Sequence, residues 1–375
     1  MKRISISFAI ALAFGFASTG RAQNAVSANT GAVFVMTNAA AKNEIIAYRR
    51  AANGALWETS RFATGGRGSG GLGDPLESQG SLILNQDHSL LFAVNAGSGN
   101  ISVFRVDHFR LFLLDVVRCG GSEPVALALH GDLLYVVNTG ASSEVAGFRL
   151  NPDGRLVPIA NSVRFLSTNT SGASSAAFSP DGRFLVVTER LTNDIDVFSV
   201  EEDGTLSPIV INQDEFPGTF AVTFAPSGAA IVAETGPAGA QNGSTISAYG
   251  IQADGTLFPI SGGIPTLGAA TCWNVITPDG RFVYTDNAGT GNVSGFSVGT
   301  DGTLTPLPNT VQANAGAGSM NLDMAVSANG KFLYSLNSGT GTIGIFAINA
   351  NGTLTNIGSI GGVVANHGFN GIAAF

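Results

Sequence analysis

Charge is scarce in this chain: Asp, Glu, Lys and Arg make up 12% of 375 residues, beside four histidines, two cysteines and two tryptophans. Each shortage excludes something. With 18 basic against 26 acidic residues and no Lys/Arg cluster, there is no footprint for nucleic acid or an anionic membrane, and a highly phosphorylated substrate is disfavoured. The sparse histidines show no zinc-ligand spacing, so no metal is expected. The one exception the residues leave open is a hard cation held by Glu189, Glu234 and Asn oxygens. Two cysteines cannot make a disulfide framework; Cys119 and Cys272 are read as separate thiols, a bridge being open only in an oxidising compartment. Helix formers at helical spacing are few, so helix content should be low. No Gly-x-Ser-x-Gly elbow, phosphate loop or dinucleotide fingerprint stands in a strand-turn-helix context, so no nucleotide or other cofactor is expected.

One apolar run stands out, "ISISFAIALAFGFAS" after Lys2 and Arg3, followed by "TGRAQ". It is short for a membrane span and has the order of a secretory signal peptide, residues 1–22, cut after Ala22. Its removal takes the formal charge from −8 to −11 and leaves residues 23–375 as the mature domain. The protein is expected to be exported, periplasmic or secreted, monomeric and free of membrane.

What is abundant is glycine, 50 residues, with Val, Phe, Thr and Ser in short strand-like runs. Three landmarks recur in order. A hydrophobic strand ends at Asn38, Asn95, Asn138, Glu189, Glu234, Asn287 and Asn337; a second ends near Tyr48, Phe104, Phe148, Phe198, Tyr249, Phe296 and Phe346. An Asx-Gly turn follows, as in "DGTL" at Asp203, Asp254 and Asp301. The repeat spacing is 43 to 57 residues, the size of a four-stranded propeller blade. Seven units therefore predict an all-β, seven-bladed β-propeller. The chain enters at "GAVFVMTN", a second strand, and leaves with "NGIAAF", an innermost strand without a blade. The last strand is thus expected to pair into the first blade and close the ring, removing free sheet edges.

The motifs "SPDGRFL" and "DGTLTPL" resemble the seven-bladed lactonase family, which includes propeller-type 6-phosphogluconolactonases and 3-carboxymuconate cyclases. That resemblance implies hydrolysis or isomerisation of a small lactone or carboxylated ring. Where the family often carries an Arg-His pair on an innermost strand, this chain has Ser174 and Ser175; the family's "NEL" position reads "TERL" from Thr188. The missing pair points away from phosphogluconolactone as the substrate.

Residues at the second-strand ends and innermost-strand starts should converge on one face of the central channel. Glu189 and Glu234, in adjacent blades, are candidate acids or bases, together with His367 oriented by Asp323. Arg190, Asn274, Asn321, Asn370 and Trp273 are candidate substrate contacts. Most asparagines in this pattern also fit a loop-fixing role, and the two glutamates fit structural ion pairing equally well. Two long loops, Thr64–Gly80 and Thr235–Ala248, are read as surface loops that either line a site or are tolerated insertions. The alternative to an enzyme is a non-catalytic propeller that binds a small ligand or protein on the same face.

Overall fold

A computed structural model describes residues 31–316 and 318–375; the expected signal peptide lies outside them. The described residues form seven antiparallel sheets arranged as the blades of a propeller. Blade 4 is representative: Ala173–Phe178, Phe184–Glu189, Asp194–Ser199 and Val210–Gln213 pair in chain order from the innermost strand outward. Neighbouring innermost strands pack against one another all the way round, which closes the ring.

Turn chemistry sets each blade. In the first hairpin of blade 4, Ser179 Oγ donates to Asp181 Oδ1 at 2.6 Å, and the Gly182 N–H donates to the Ser179 carbonyl at 2.8 Å. Thr277 with Asp279 and Ser327 with Asn329 repeat the device in blades 6 and 7. The side-chain oxygen fixes the turn that Asp-Gly and Asn-Gly favour.

A second repeat joins blades. Tyr135, Tyr284 and Tyr334, buried on second strands, donate their hydroxyls to the carbonyls of Gly204, Gly352 and Gly54, each in the outer Asx-Gly turn of the next blade. The "DGTL" and "NGTL" motifs therefore close a hairpin and also dock one blade on its neighbour. Apolar side chains fill the same interfaces; Val186, Val197, Val232 and Tyr249 form one cluster between blades 4 and 5.

Closure occurs as the chain ends predict. Ile372–Ala374 pairs with Gly31–Met36, in register Val33 to Ala374 and Val35 to Ile372, so blade 1 combines both ends of the chain. Phe375 lies against Phe34 and stacks on His88 at 5.5 Å. Cys119 and Cys272 are buried free thiols.

One connection departs from the rest. Linkers from an outer strand to the next innermost strand run five to ten residues, but Thr64–Ser81, between blades 1 and 2, has 18. It crosses the upper face, where the second strands end, and plugs the channel there. Its contacts reach blades on every side: Ser78 Oγ donates to the Val125 carbonyl, the Gln79 N–H to the Ser174 carbonyl, and the Gly70 N–H to the Asn38 carbonyl.

Candidate functional site on the upper face

The plug meets most of the residues expected to contact substrate. The guanidinium of Arg190 forms an ion pair with Glu77. The Trp273 indole N–H donates to the Ser78 carbonyl at 2.9 Å, the Asn274 N–H to Gln79 Oε1 at 2.9 Å, and Asn370 Nδ2 to Asp74 Oδ1 at 2.8 Å. Ser81 Oγ donates to Asn370 Oδ1 at 2.8 Å, which fixes that amide between the ends of the plug. The five convergent groups, Arg190, Trp273, Asn274, Asn370 and Asp323, thus share one face, and the chain's own plug occupies it.

Asp323 sits in left-handed backbone with φ 65°, where the register of its innermost strand breaks. The N–H groups of Met324 and Ile372 donate to its carboxylate at 2.9 and 3.1 Å, tying blade 7 to the closing strand. Burial pushes its pKa up to about 7, and the Asp74 carboxylate adds to that rise. Asp74 is likewise pushed up to about 7, by burial first and then by the like charge of Glu77. Nearby, burial holds Asp286 well above the usual carboxylate range, and Asp323 reinforces it. The Cys272 thiol is raised by burial and by the surrounding acids.

The remaining candidates do not join this set of contacts, and this corrects the expected geometry. Glu189 and Glu234 do not meet. Glu189 is fully buried at the edge of blade 4, where the Ser167 N–H donates to Oε1 at 2.9 Å and Thr192 Oγ1 to Oε2 at 2.5 Å. Its charged neighbours are Asp194 and Asp196 on the facing strand; burial and the Glu189 carboxylate push Asp196 up to about 9. Glu234 is fully buried in blade 5, its pKa raised by burial and by Asp214, a partner the sequence did not reveal. Asp214 accepts from Tyr249 at 2.7 Å and from Thr219 at 2.9 Å. Each glutamate therefore belongs to a separate buried acid cluster, Glu189 with Asp194 and Asp196 and Glu234 with Asp214. Asn321 is also turned inward, its Nδ2 donating to Asp286 Oδ1 at 2.7 Å. His367 is exposed, with Nδ1 2.8 Å from the Ala365 carbonyl, and Asp323 does not orient it.

The second-strand asparagines turn inward for a local reason. Asn95 Nδ2 donates to Asn100 Oδ1 and Ser102 Oγ at 2.6 and 2.7 Å, and Asn287 does the same with Asn292 and Ser294. The spacing i, i+5, i+7 builds a buried polar knot within each of these two blades, so the asparagines are structural there. In blade 4 carboxyls replace the knot, as Glu189, Asp194 and Asp196.

Beside the plug lies a cleft of about 150 Å³ lined by Ser69, Leu76, Glu77, Glu123, Val125 and Thr139. Glu77 and Glu123 both adopt left-handed backbone, φ 46° and 53°, a conformation that costs free energy in a residue with a Cβ and that concentrates at working sites. Sequence reading missed both, because nothing in "GDPLES" or "GSEPV" marks a positive φ. Among the described residues no group of three or more His, Cys, Asp or Glu is arranged to hold a metal ion. Nor is any helix among them long and apolar enough to cross a membrane.

Comparison with known proteins fits this architecture. The family profile "Lactonase, 7-bladed beta-propeller" matches residues 130–272 and 272–365. No curated protein matches the chain. Among solved structures, a provisionally named 6-phosphogluconolactonase of Bacteroides fragilis superposes with a TM-score of 0.69 at 21% identity, covering 92% of this chain and 99% of that one. A periplasmic gluconolactonase of Pseudomonas aeruginosa gives 0.67 at 19%, covering 91% and 99%. A Lactobacillus plantarum protein gives 0.71 at 18%, covering 90% and 98%. Likeness at these identities shows a shared fold.

Proposed function

This chain belongs to the seven-bladed β-propeller lactonase family, and from that premise we propose that it hydrolyses a small uncharged lactone in the cleft beside the plug. The observation that carries the reading is a cleft flanked by two carboxylates in strained backbone, Glu77 and Glu123, with Arg190 paired to one of them. A cavity of about 150 Å³ has room for a single six-membered ring. Glu123 takes the proton from the attacking water, and Arg190 stabilises the oxyanion that develops on the lactone carbonyl. As that oxyanion collapses, the ring C–O ester bond breaks and the proton held by Glu123 passes to the departing ring oxygen, giving the open hydroxy acid. Glu77 orients Arg190. Two acidic walls and the chain's net negative charge select against phosphorylated lactones. Its leader-like start supports export as part of this reading.

The test is a panel of neutral and phosphorylated lactones assayed with the mature protein, Glu123→Gln and Arg190→Ala. Hydrolysis of a neutral member, lowered about a hundredfold in kcat/KM by each change, supports the assignment. Turnover that ignores both changes sinks the site. A second reading, ligand capture without turnover, draws on Glu77 already satisfying Arg190; saturable binding with no hydrolysis of any panel member would select it.

A further inference from the structure

We propose that Thr64–Ser81 is a lid over the upper end of the channel, clamped shut in acid and released as the pH rises. This goes beyond the hydrolytic reading and rests on it only in taking the upper face as the working surface. The lid has the geometry for movement. Its first half is rich in glycine, with positive φ at Gly65, Gly70, Gly71 and Gly73, and Gly80 provides the same freedom at the far end. Between these hinges it is held by contacts that opening must break: Glu77 to Arg190, Ser78 to Trp273 and Val125, Gln79 to Asn274 and Ser174, Asp74 to Asn370, Gly70 to Asn38, and Gly73 to Asn366.

The clamp has an unusual charge balance. Asp74 on the lid faces Glu77 of the same segment, Arg190 in the loop after the second strand of blade 4, and Asp323 on the innermost strand of blade 7. Asp286 stands behind Asp323, and the Cys272 thiol of blade 6 lies among Asp74, Glu77, Asp286 and Arg190. On the loop beside the lid, Asn366 Oδ1 accepts from the Gly73 N–H, next to exposed His367. Asp74 and Glu77 therefore share the Arg190 guanidinium, and Asp323, with Asp286 behind it, adds like charge on the far side of Asp74. Below neutrality, protons on Asp74 and Asp323 relieve the repulsion across the lid.

The sign follows from linkage. Both carboxyls titrate near 7 with the lid closed; an opened, hydrated lid returns Asp74 toward the ordinary carboxylate value. The closed state then binds more protons than the open one. The opening equilibrium should rise by up to about tenfold per pH unit through Asp74 between roughly pH 4 and pH 7, and level off above, with Asp323 contributing through its like charge on Asp74. Opening breaks the Glu77–Arg190 pair and exposes the indole of Trp273.

Trp273 supplies the readout. In a Trp57→Phe background it is the sole tryptophan, and it is 1% exposed. Acrylamide quenching of its fluorescence should increase several-fold from about pH 5 to pH 8 with far-UV circular dichroism unchanged, and the slope should shrink in Asp74→Asn and in Asp323→Asn. Quenching that is flat with pH, that keeps its slope in both variants, or that tracks loss of circular dichroism overturns the lid. Should either variant not fold, hydrogen exchange at residues 64–81 of the unmutated protein, corrected for intrinsic rate, decides by the same criterion. No substrate enters these measurements, so their failure is separate from failure of the hydrolytic reading.

Discussion

The indole nitrogen of Trp273 donates a 2.9 Å hydrogen bond to the carbonyl of Ser78, 195 residues away in sequence. This bond joins the innermost strand of blade 6 to a segment that enters from the opposite side of the ring, and Phe220 braces the ring edge-on at 5.1 Å. A channel that would otherwise be open at this face is filled by backbone.

Trp273→Phe keeps the aromatic packing and removes the donor. It should cost about 1–2 kcal/mol, because the Ser78 carbonyl is left buried without its partner. The loss should be local: limited proteolysis should cut faster within residues 64–81, while the main melting transition moves little. Faster cutting elsewhere, with none in the plug, would mean that Trp273 serves the blade interface alone.

The acid cluster of blade 4 makes stability depend on pH. Asp196 titrates near 9 in the folded protein, against an ordinary value near 4 when unfolded. Between those limits the folded state binds the extra proton, so stability is full in acid and declines as pH rises toward 9. Asp196→Asn is always neutral and should flatten that decline, raising the melting temperature at about pH 8 while changing it little near pH 4. Melting curves across the range check this; parallel slopes for parent and variant would show that Asp196 is not the group responsible.

How far the sequence reveals this molecule differs between its parts. The blades are legible because their signals are local. Asp181-Gly182 closes a hairpin whose hydrogen bonds span a few residues, and the seven-fold repetition makes the pattern hard to mistake. Ring closure is legible because Asn370–Phe375 has no other strand to join. The site is less so. Arg190, Trp273, Asn274 and Asn370 are placed together on the upper face by counting strands, but Glu77 and Asp74, which hold two of them, lie in a segment with no repeat and no periodicity. Their contacts span 113 and 296 residues, and no local rule predicts such pairings. The asparagine knots were within reach, since "NAGSGNIS" and "NAGTGNVS" display the i, i+5, i+7 spacing.

Two glycines with the same backbone requirement should respond differently to alanine. Gly131 and Gly302 both have positive φ, 59° and 90°. A Cβ at Gly131 meets nothing within 4 Å, whereas one at Gly302 would lie 2.4 Å from the Ala229 side chain of the preceding blade. Gly131→Ala should cost about 1 kcal/mol from conformation alone. Gly302→Ala should cost roughly 2 kcal/mol or more, because it also forces two blades apart. Denaturant titration of both variants measures the gap, and equal losses would show that this contact relaxes freely.

The closing strand makes a last and more severe prediction. Ile372–Ala374 is short, yet it completes blade 1, and the bonds extend beyond it: Met36 donates to the Gly371 carbonyl, Phe375 to the Ala32 carbonyl, and Arg50 Nε to the Phe375 carbonyl. Asp323 reaches the same strand through the Ile372 N–H. Phe375→Ala removes only the packing on Phe34 and His88 and should cost about 1–2 kcal/mol. Truncation after Asn370 also removes the pairing, exposes the edge of Gly31–Met36 and strips Asp323 of a donor, so its cost should far exceed that of the point change. The truncated chain should unfold at much lower denaturant and self-associate through the bared edge, which light scattering detects. A truncated protein that stays monomeric and loses no more than Phe375→Ala would show that six blades and an incomplete first sheet hold the ring without closure.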